Sequence, residues 1–394
     1  MFKIAKWYNN FQTPSVLMID DLSDAYIDVY RESYKNDWGY LCDTKGSSFN
    51  FLQKELLGTF PQIKITFFTP YLKHNVINEN SQYEFKKFAL GERSEYTYFL
   101  KKLDEEGHEI AHHGSDHGEY IDETIPSTTN NWIHEWALFE DVENGVTTTL
   151  EGVRRFKEVC GNDVVGGKYC GYITIDNSQE IIDQCRFLYW CDKPSYSIDE
   201  YDENFFGKNN IISFPTNFAG NSFVRLTYLS GDEKRDKKKK ILKYFQPLYN
   251  IYSYINLYKL YKKQQIISIQ EHNSPSTTAG TAQSANIVTD IESLKKTFTF
   301  LSRLSIWYAN CGDIAKYVYV RENSQIRIIN DQLIIYFENS KNITDPIISI
   351  VNEKFFKIES GNQNFSSVKN NDLYVVNVPI SDGENTFIIK EKME

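Results

Sequence analysis

Up to about residue 322, short apolar runs alternate with longer amphipathic ones. SVLMID (15–20), IKITFFTP (63–70), HEIAHH (108–113), DVVGGKY (163–169), FLYWCD (187–192), NIISFP (210–215) and QIISIQEH (265–272) read as strands or strand ends. Several are almost unbroken by polar residues, the pattern of parallel strands buried on both faces. Between them EYTYFLKKLDEEG (95–107), NGVTTTLEGVRRFKEVCG (144–161) and TDIESLKKTFTFLSRL (289–304) have helical spacing. In the last, Ile291, Leu294, Phe298, Leu301 and Leu304 share a face, and Thr289 followed by Glu292 makes a capping-box pattern. Such alternation predicts an α/β barrel or a doubly wound sheet. After residue 323 the helical pattern stops. QIRIIN, QLIIYFEN, IISIVN, FFKIES, LYVVNVP and NTFIIKEK are short β-like runs, with Asn330-Asp331 placed as a tight hairpin turn. The chain thus divides into an α/β unit over 1–322 and a small all-β, sandwich-like unit over 323–394.

Composition narrows the class. At 41% hydrophobic, 394 residues can bury a real core, so the chain is not disordered. A net charge of −10 argues against a general nucleic-acid binder. The basic run EKRDKKKK (233–240) reads as a solvated loop or helix start. Six scattered cysteines without a CxxC pair give no zinc-ribbon signal and suit free thiols. The N-terminus lacks the apolar run of a signal peptide, and no stretch approaches ~18 consecutive apolar residues. A cytoplasmic protein without a membrane span is expected. The 59 aromatic side chains mostly serve cores and interfaces, and they also suit stacking on sugars.

Three places carry candidate chemistry. Asp20-Asp21 follows SVLMI, where a buried strand emerges, the edge at which α/β barrels collect functional side chains. One Asp is able to hold a metal while the other accepts a proton; ordinary loop acids are the alternative. GHEIAHHGSDHG (107–118) concentrates four of seven histidines, with His113 and His117 spaced i, i+4. On a helical turn both would face one way, a geometry for metal capture. His108 and His112 fall outside that spacing; His108 precedes the strand and reads as structural. His272 ends QIISIQEH and is placed to reach the same cleft.

MIDD, ITFF and GHEIAHHGSDH, in that order, resemble the motifs of the polysaccharide deacetylases, carbohydrate esterases that share the homology domain of the nodulation chitooligosaccharide deacetylase. The resemblance covers about residues 12 to 320. It implies a distorted (β/α)7 barrel and metal-dependent removal of an N-acyl group from a sugar. By motif position it makes Asp20 the general base, Asp21, His113 and His117 the metal ligands, and His272 the late general acid. Two histidines and one carboxylate suit Zn²⁺, and also Co²⁺, Ni²⁺ or Fe²⁺.

The third motif departs from the family. GGKYCGY (166–172) puts Lys168 where an arginine usually orients the base carboxylate, a point charge in place of a planar fork. Tyr172 is the guess for a backbone amide completing an oxyanion hole, and Trp190 is placed either on the acyl pocket wall or in the core. NNWIHEWALFE (130–140) is either a sugar-stacking loop or a segment packing its tryptophans inward. Without an export signal, an N-acylated intracellular glycan precursor, lipid-linked or nucleotide-linked, is favoured over cell-wall polymer. The β unit is assigned to glycan binding or homo-oligomer contacts. The rival functions are a glycan-binding protein that keeps the fold, and deformylation or cyclic-amide hydrolysis at the same metal site.

Overall fold

The apolar runs pair in one large sheet. In the computed structural model, residues 1–22, 48–72, 90–92, 94–116, 118–120, 132–161, 163–193, 205–227, 240–272 and 286–392 are described. The sheet order is Phe218–Ala219, Ile267–His272, Thr13–Asp20, Ile65–Thr69, Glu109–His112, Gly166–Lys168, Tyr189–Cys191, Ile211–Ser213 and Phe205–Phe206, with Ile306–Tyr308 also on Thr13–Asp20. All pairs are parallel except the last edge strand, Phe205–Phe206. The two ends of this path do not pair. Among the described residues the sheet therefore curls as a half-barrel, in keeping with the distorted barrel expected.

Register sets the functional rim. His272 lies opposite Asp20, Asp20 opposite Phe68, Thr69 opposite His112, His112 opposite Gly167 and Lys168 opposite Cys191. Because the strands run parallel, their C-terminal ends come level on one edge, where the candidate residues gather. Successive side chains alternate between faces. Leu17, Ile19, Ile65, Phe67 and Ile110 cluster with Leu100 and Leu103 of the Ser94–Glu105 helix and Leu294 and Phe298 of the Ile287–Leu301 helix. Val16, Met18, Phe68 and Ala111, on the other face, cluster with Ile314, Ala315 and Val318 of the Cys311–Glu322 helix. This second helix start is tied to the sheet by polar contacts: the Cys311 amide donates to Thr66 Oγ1 and the Gly312 amide to Glu109 Oε2, each at 2.8 Å.

The C-terminal runs form two antiparallel sheets. One holds Lys3–Ile4, Ile347–Asn352, Leu373–Pro379 and Val368–Asn370; the other holds Ser324–Ile329, Gln332–Phe337, Gly383–Lys392, Phe356–Ser360 and Gln363–Ser366. Ile348 and Val378 of the first share a core with Leu333 and Phe387 of the second. Asn330 and Asp331 both have positive φ, 46° and 61°, the conformation of a two-residue hairpin turn matched to strand twist. The N-terminal strand Lys3–Ile4 pairs with Ile350 and Val351, so the β unit draws residues from the chain's other end.

The helix expected from residue 289 starts two residues earlier, at Ile287. Its cap is Asn286, whose Oδ1 accepts from the Thr289 amide at 3.0 Å, not the Thr289–Glu292 box. Asparagine is as strong a cap as threonine, and starting there lets Ile287 join the buried stripe. Helices over Gln246–Lys262 and Cys311–Glu322 were not expected from the pattern. The first is apolar on nearly every face, so its period does not stand out. No helix among the described residues is long and apolar enough to cross a membrane.

Candidate active site

Asp20 closes its strand with the carboxylate buried, 5% exposed. Oδ2 accepts an ion pair from Lys168 Nζ at 2.7 Å. Oδ1 is buried and has no hydrogen-bond partner among the described residues. An orphaned carboxylate oxygen at a strand end is costly unless something else occupies the space in front of it. His272 Nε2 lies 4.0 Å from Oδ2, beyond hydrogen-bond reach, with its side chain partly exposed.

Asp21 is in the left-handed region at φ 63°, a conformation that costs a non-glycine residue roughly 1–3 kcal/mol. Neighbours on a regular strand would point their carboxylates to opposite faces. Here the chain turns at Asp21, and its Oδ1 comes within 3.5 Å of His113 Nε2. The other ring nitrogen, His113 Nδ1, is 3.1 Å from the Lys168 carbonyl oxygen. A carbonyl only accepts, so Nδ1 carries a proton and Nε2 is the nitrogen turned towards Asp21. A ligating histidine is commonly held through its other nitrogen in this way. Ligand atoms at tetrahedral Zn²⁺ distances sit about 3.4 Å apart, close to this spacing. The pair therefore fits a divalent ion. Among the described residues no group of three or more His, Cys, Asp and Glu gathers to hold one. His117, the third expected ligand, lies outside the described residues.

The loop after His113 is not the helical turn that i, i+4 spacing suggested: residues 113–116 are irregular, and Gly114 has φ +77°. The loop is held by a residue the sequence reading left unassigned. Glu135, buried, accepts the Ser115 amide with both oxygens at 2.8 and 2.7 Å and the Asp116 amide at 3.3 Å. Gly114 is required there, since a Cβ would fall 2.3 Å from Glu135 Oε2. Trp136, also in the 130–140 segment, is fully buried against Tyr169 and Trp190, the inward packing of the two readings; residues 130–131 and the Trp132 side chain lie outside the described residues.

Lys168 is 1% exposed. Its ammonium is held by Asp20 and by Gln270 Oε1, and it lies over the rings of Tyr172 at 4.9 Å and Phe68 at 5.4 Å. Gln270 was missed because a glutamine in QIISIQEH has no chemical signature. It is two residues from His272, which the strand period puts on the same face. The Tyr172 amide donates to the Tyr169 carbonyl at 3.2 Å and closes a local turn. What Tyr172 brings to the site is its ring over Lys168 and a hydroxyl bonded to Thr216 Oγ1. Trp190 is fully buried among His112, Trp136, Tyr169 and Phe187, and its ring has no face open to solvent.

The remaining histidines separate. His112 is buried among Tyr71, Phe156, Phe187 and Trp190, with Nδ1 accepting the Gly114 amide at 3.0 Å. Burial, then the nearby His113, pull it down to about 3, so it stays neutral. His108 Nδ1 accepts the Ile65 amide at 3.2 Å between the rings of Phe49 and Phe67. Burial, helped by the Lys64 charge, lowers it to about 4.

No family model matches the chain, and no curated protein matches it. Solved structures do. A Mycobacterium smegmatis protein assigned as a polysaccharide deacetylase aligns over 81% of this chain and 94% of its own, with 13% identity and a TM-score of 0.42. A Pseudomonas aeruginosa PAO1 protein assigned likewise aligns over 80% and 93%, with 15% identity and a TM-score of 0.43. Puue allantoinase aligns over 80% and 92%, with 15% identity and a TM-score of 0.43.

Proposed function

We propose that this protein is a metal-dependent hydrolase that removes an N-acyl group, an acetyl in the simplest case, from a sugar of a glycan or glycan precursor. The observation that carries the reading is Asp20: one carboxylate oxygen fixed by Lys168, the other buried and open, beside the Asp21–His113 pair. A divalent ion held by Asp21, His113 and His117 would polarise the acyl oxygen of the substrate. Asp20 Oδ1 takes the proton of the water that attacks the acyl carbon, and Lys168 holds the carboxylate in place through Oδ2. His272, as imidazolium, protonates the amine nitrogen, which is otherwise a very poor leaving group. Zn²⁺ is the first ion to test.

The experiment is acetate release from N-acetylglucosamine oligomers by Zn²⁺-loaded protein beside an Asp20→Asn variant. Release that falls by about a hundredfold or more in the folded variant is expected for loss of a general base. No release by the loaded protein, or equal release by the variant, would overturn the reading. One equivalent of metal per chain, lost in His113→Ala, is expected from the same samples.

A further inference from the structure

The helix over Gln246–Lys262, with the turn Lys243–Phe245 before it, lies on the outside of the sheet. Its inward face is served: Leu257 and Leu260 are buried in the main core, and Ser253 Oγ donates to the Ser222 carbonyl at 3.3 Å. Its outward face is not polar. Tyr244, Leu248, Ile251, Tyr252, Ile255 and Tyr258 are 47–76% exposed. They fall at i, i+4, i+7, i+8, i+11 and i+14, one continuous stripe of a helix. Ile241, also exposed, lengthens it, and the exposed Phe245 widens it. At 1.5 Å per residue the stripe from 241 to 258 is about 26 Å long, an apolar band well beyond the scattered exposed leucine of an ordinary surface.

The charge around the stripe says what covers it. Residues 240–263 contain Lys240, Lys243, Lys259, Lys262 and Lys263 and no acid, in a chain whose net charge is −10. All five lysines are exposed, two at one end of the stripe and three at the other. We propose that this stripe lies in the headgroup region of an anionic lipid bilayer, parallel to its surface. Tyrosines favour that boundary, and end-placed lysines reach up to phosphates while their stems stay with the apolar face. The arrangement is that of an interfacial helix, not a spanning one. A second copy of this chain is disfavoured as the occupant, because a two-fold contact would set two five-lysine stripes against each other. The inference stands apart from the hydrolase reading and is tested without activity.

Flotation of the full-length protein with phosphatidylcholine vesicles, with and without roughly 30% phosphatidylglycerol, measures it. Binding to the anionic vesicles only, weakening as salt is raised, is expected. The Leu248→Ser/Ile251→Ser/Ile255→Ser variant is expected to lose at least about tenfold in partitioning. Its thermal melt should match the parent, since all three side chains are exposed. Lys240→Gln/Lys243→Gln/Lys259→Gln should weaken binding to anionic vesicles as well. Absence of binding by the parent protein overturns the proposal, as does undiminished binding by the serine variant. Sedimentation that shows a dimer abolished by the serine variant, with no vesicle binding, assigns the stripe to a second copy instead.

Discussion

His108 gives a sharp test of how the histidine cluster divides. Its folded-state value of about 4, against the ordinary 6.5, is set first by burial. The unfolded chain therefore binds the proton more tightly, and stability falls as pH drops through 6.5 and levels near 4. The gap corresponds to about 3 kcal/mol between the two plateaus. The opposing attraction is weak: Glu106 Oε2 is 4.0 Å from His108 Nε2 and its side chain is 35% exposed, a pairing of at most about 1 kcal/mol. Desolvation wins, and between about pH 7 and about pH 4.5 the ring should cost the fold about 2 kcal/mol. Other buried groups titrate in this window, with Glu109 held up to about 7 and Asp290 to about 6, so the raw stability curve mixes several terms. The remedy is His108→Asn, whose Oδ1 takes the place of Nδ1 and still accepts the Ile65 amide. Its cavity cost does not depend on pH and cancels from the slope. Urea unfolding followed by tryptophan fluorescence should show the parent losing about 2 kcal/mol relative to the variant over that range. A difference that stays flat, or rises as pH falls, refutes the claim that His108 is a buried neutral packing residue.

Two further outcomes concern the rim itself. Lys168→Met leaves the Asp20 carboxylate buried without its cation and should cost about 3–5 kcal/mol of stability, with acetate release falling in parallel; urea melts and the release assay check this, and Lys168→Arg should recover part of both. Gly114→Ala forces a left-handed alanine whose Cβ meets Glu135 2.3 Å away; a loss of about 1–3 kcal/mol is expected in thermal melts, with metal retention reduced because His113 is the preceding residue.

Much of this molecule follows from periodicity. Strands buried on both faces leave unbroken apolar runs, so SVLMID, ITFFT and ISIQEH could be placed from the chain alone, and parallel alternation then puts their ends on one rim. Asn330-Asp331 was legible because few residue pairs accept two positive φ angles. The Asp20-Asp21, His113 and His272 candidates were legible because ionisable residues ending apolar runs are few. Pairing partners were not. That Lys168 lies between Asp20 and Gln270, that Glu135 ties down the loop after His113, and that Asp21 turns back through a left-handed φ to meet His113 depend on contacts between segments 20 to 148 residues apart. The strand at Lys3–Ile4 joining Ile347–Asn352 is of the same kind. A linear pattern records which faces want burial. Only the packed structure decides which buried groups meet, because desolvation and hydrogen bonding depend on neighbours that sequence distance does not encode.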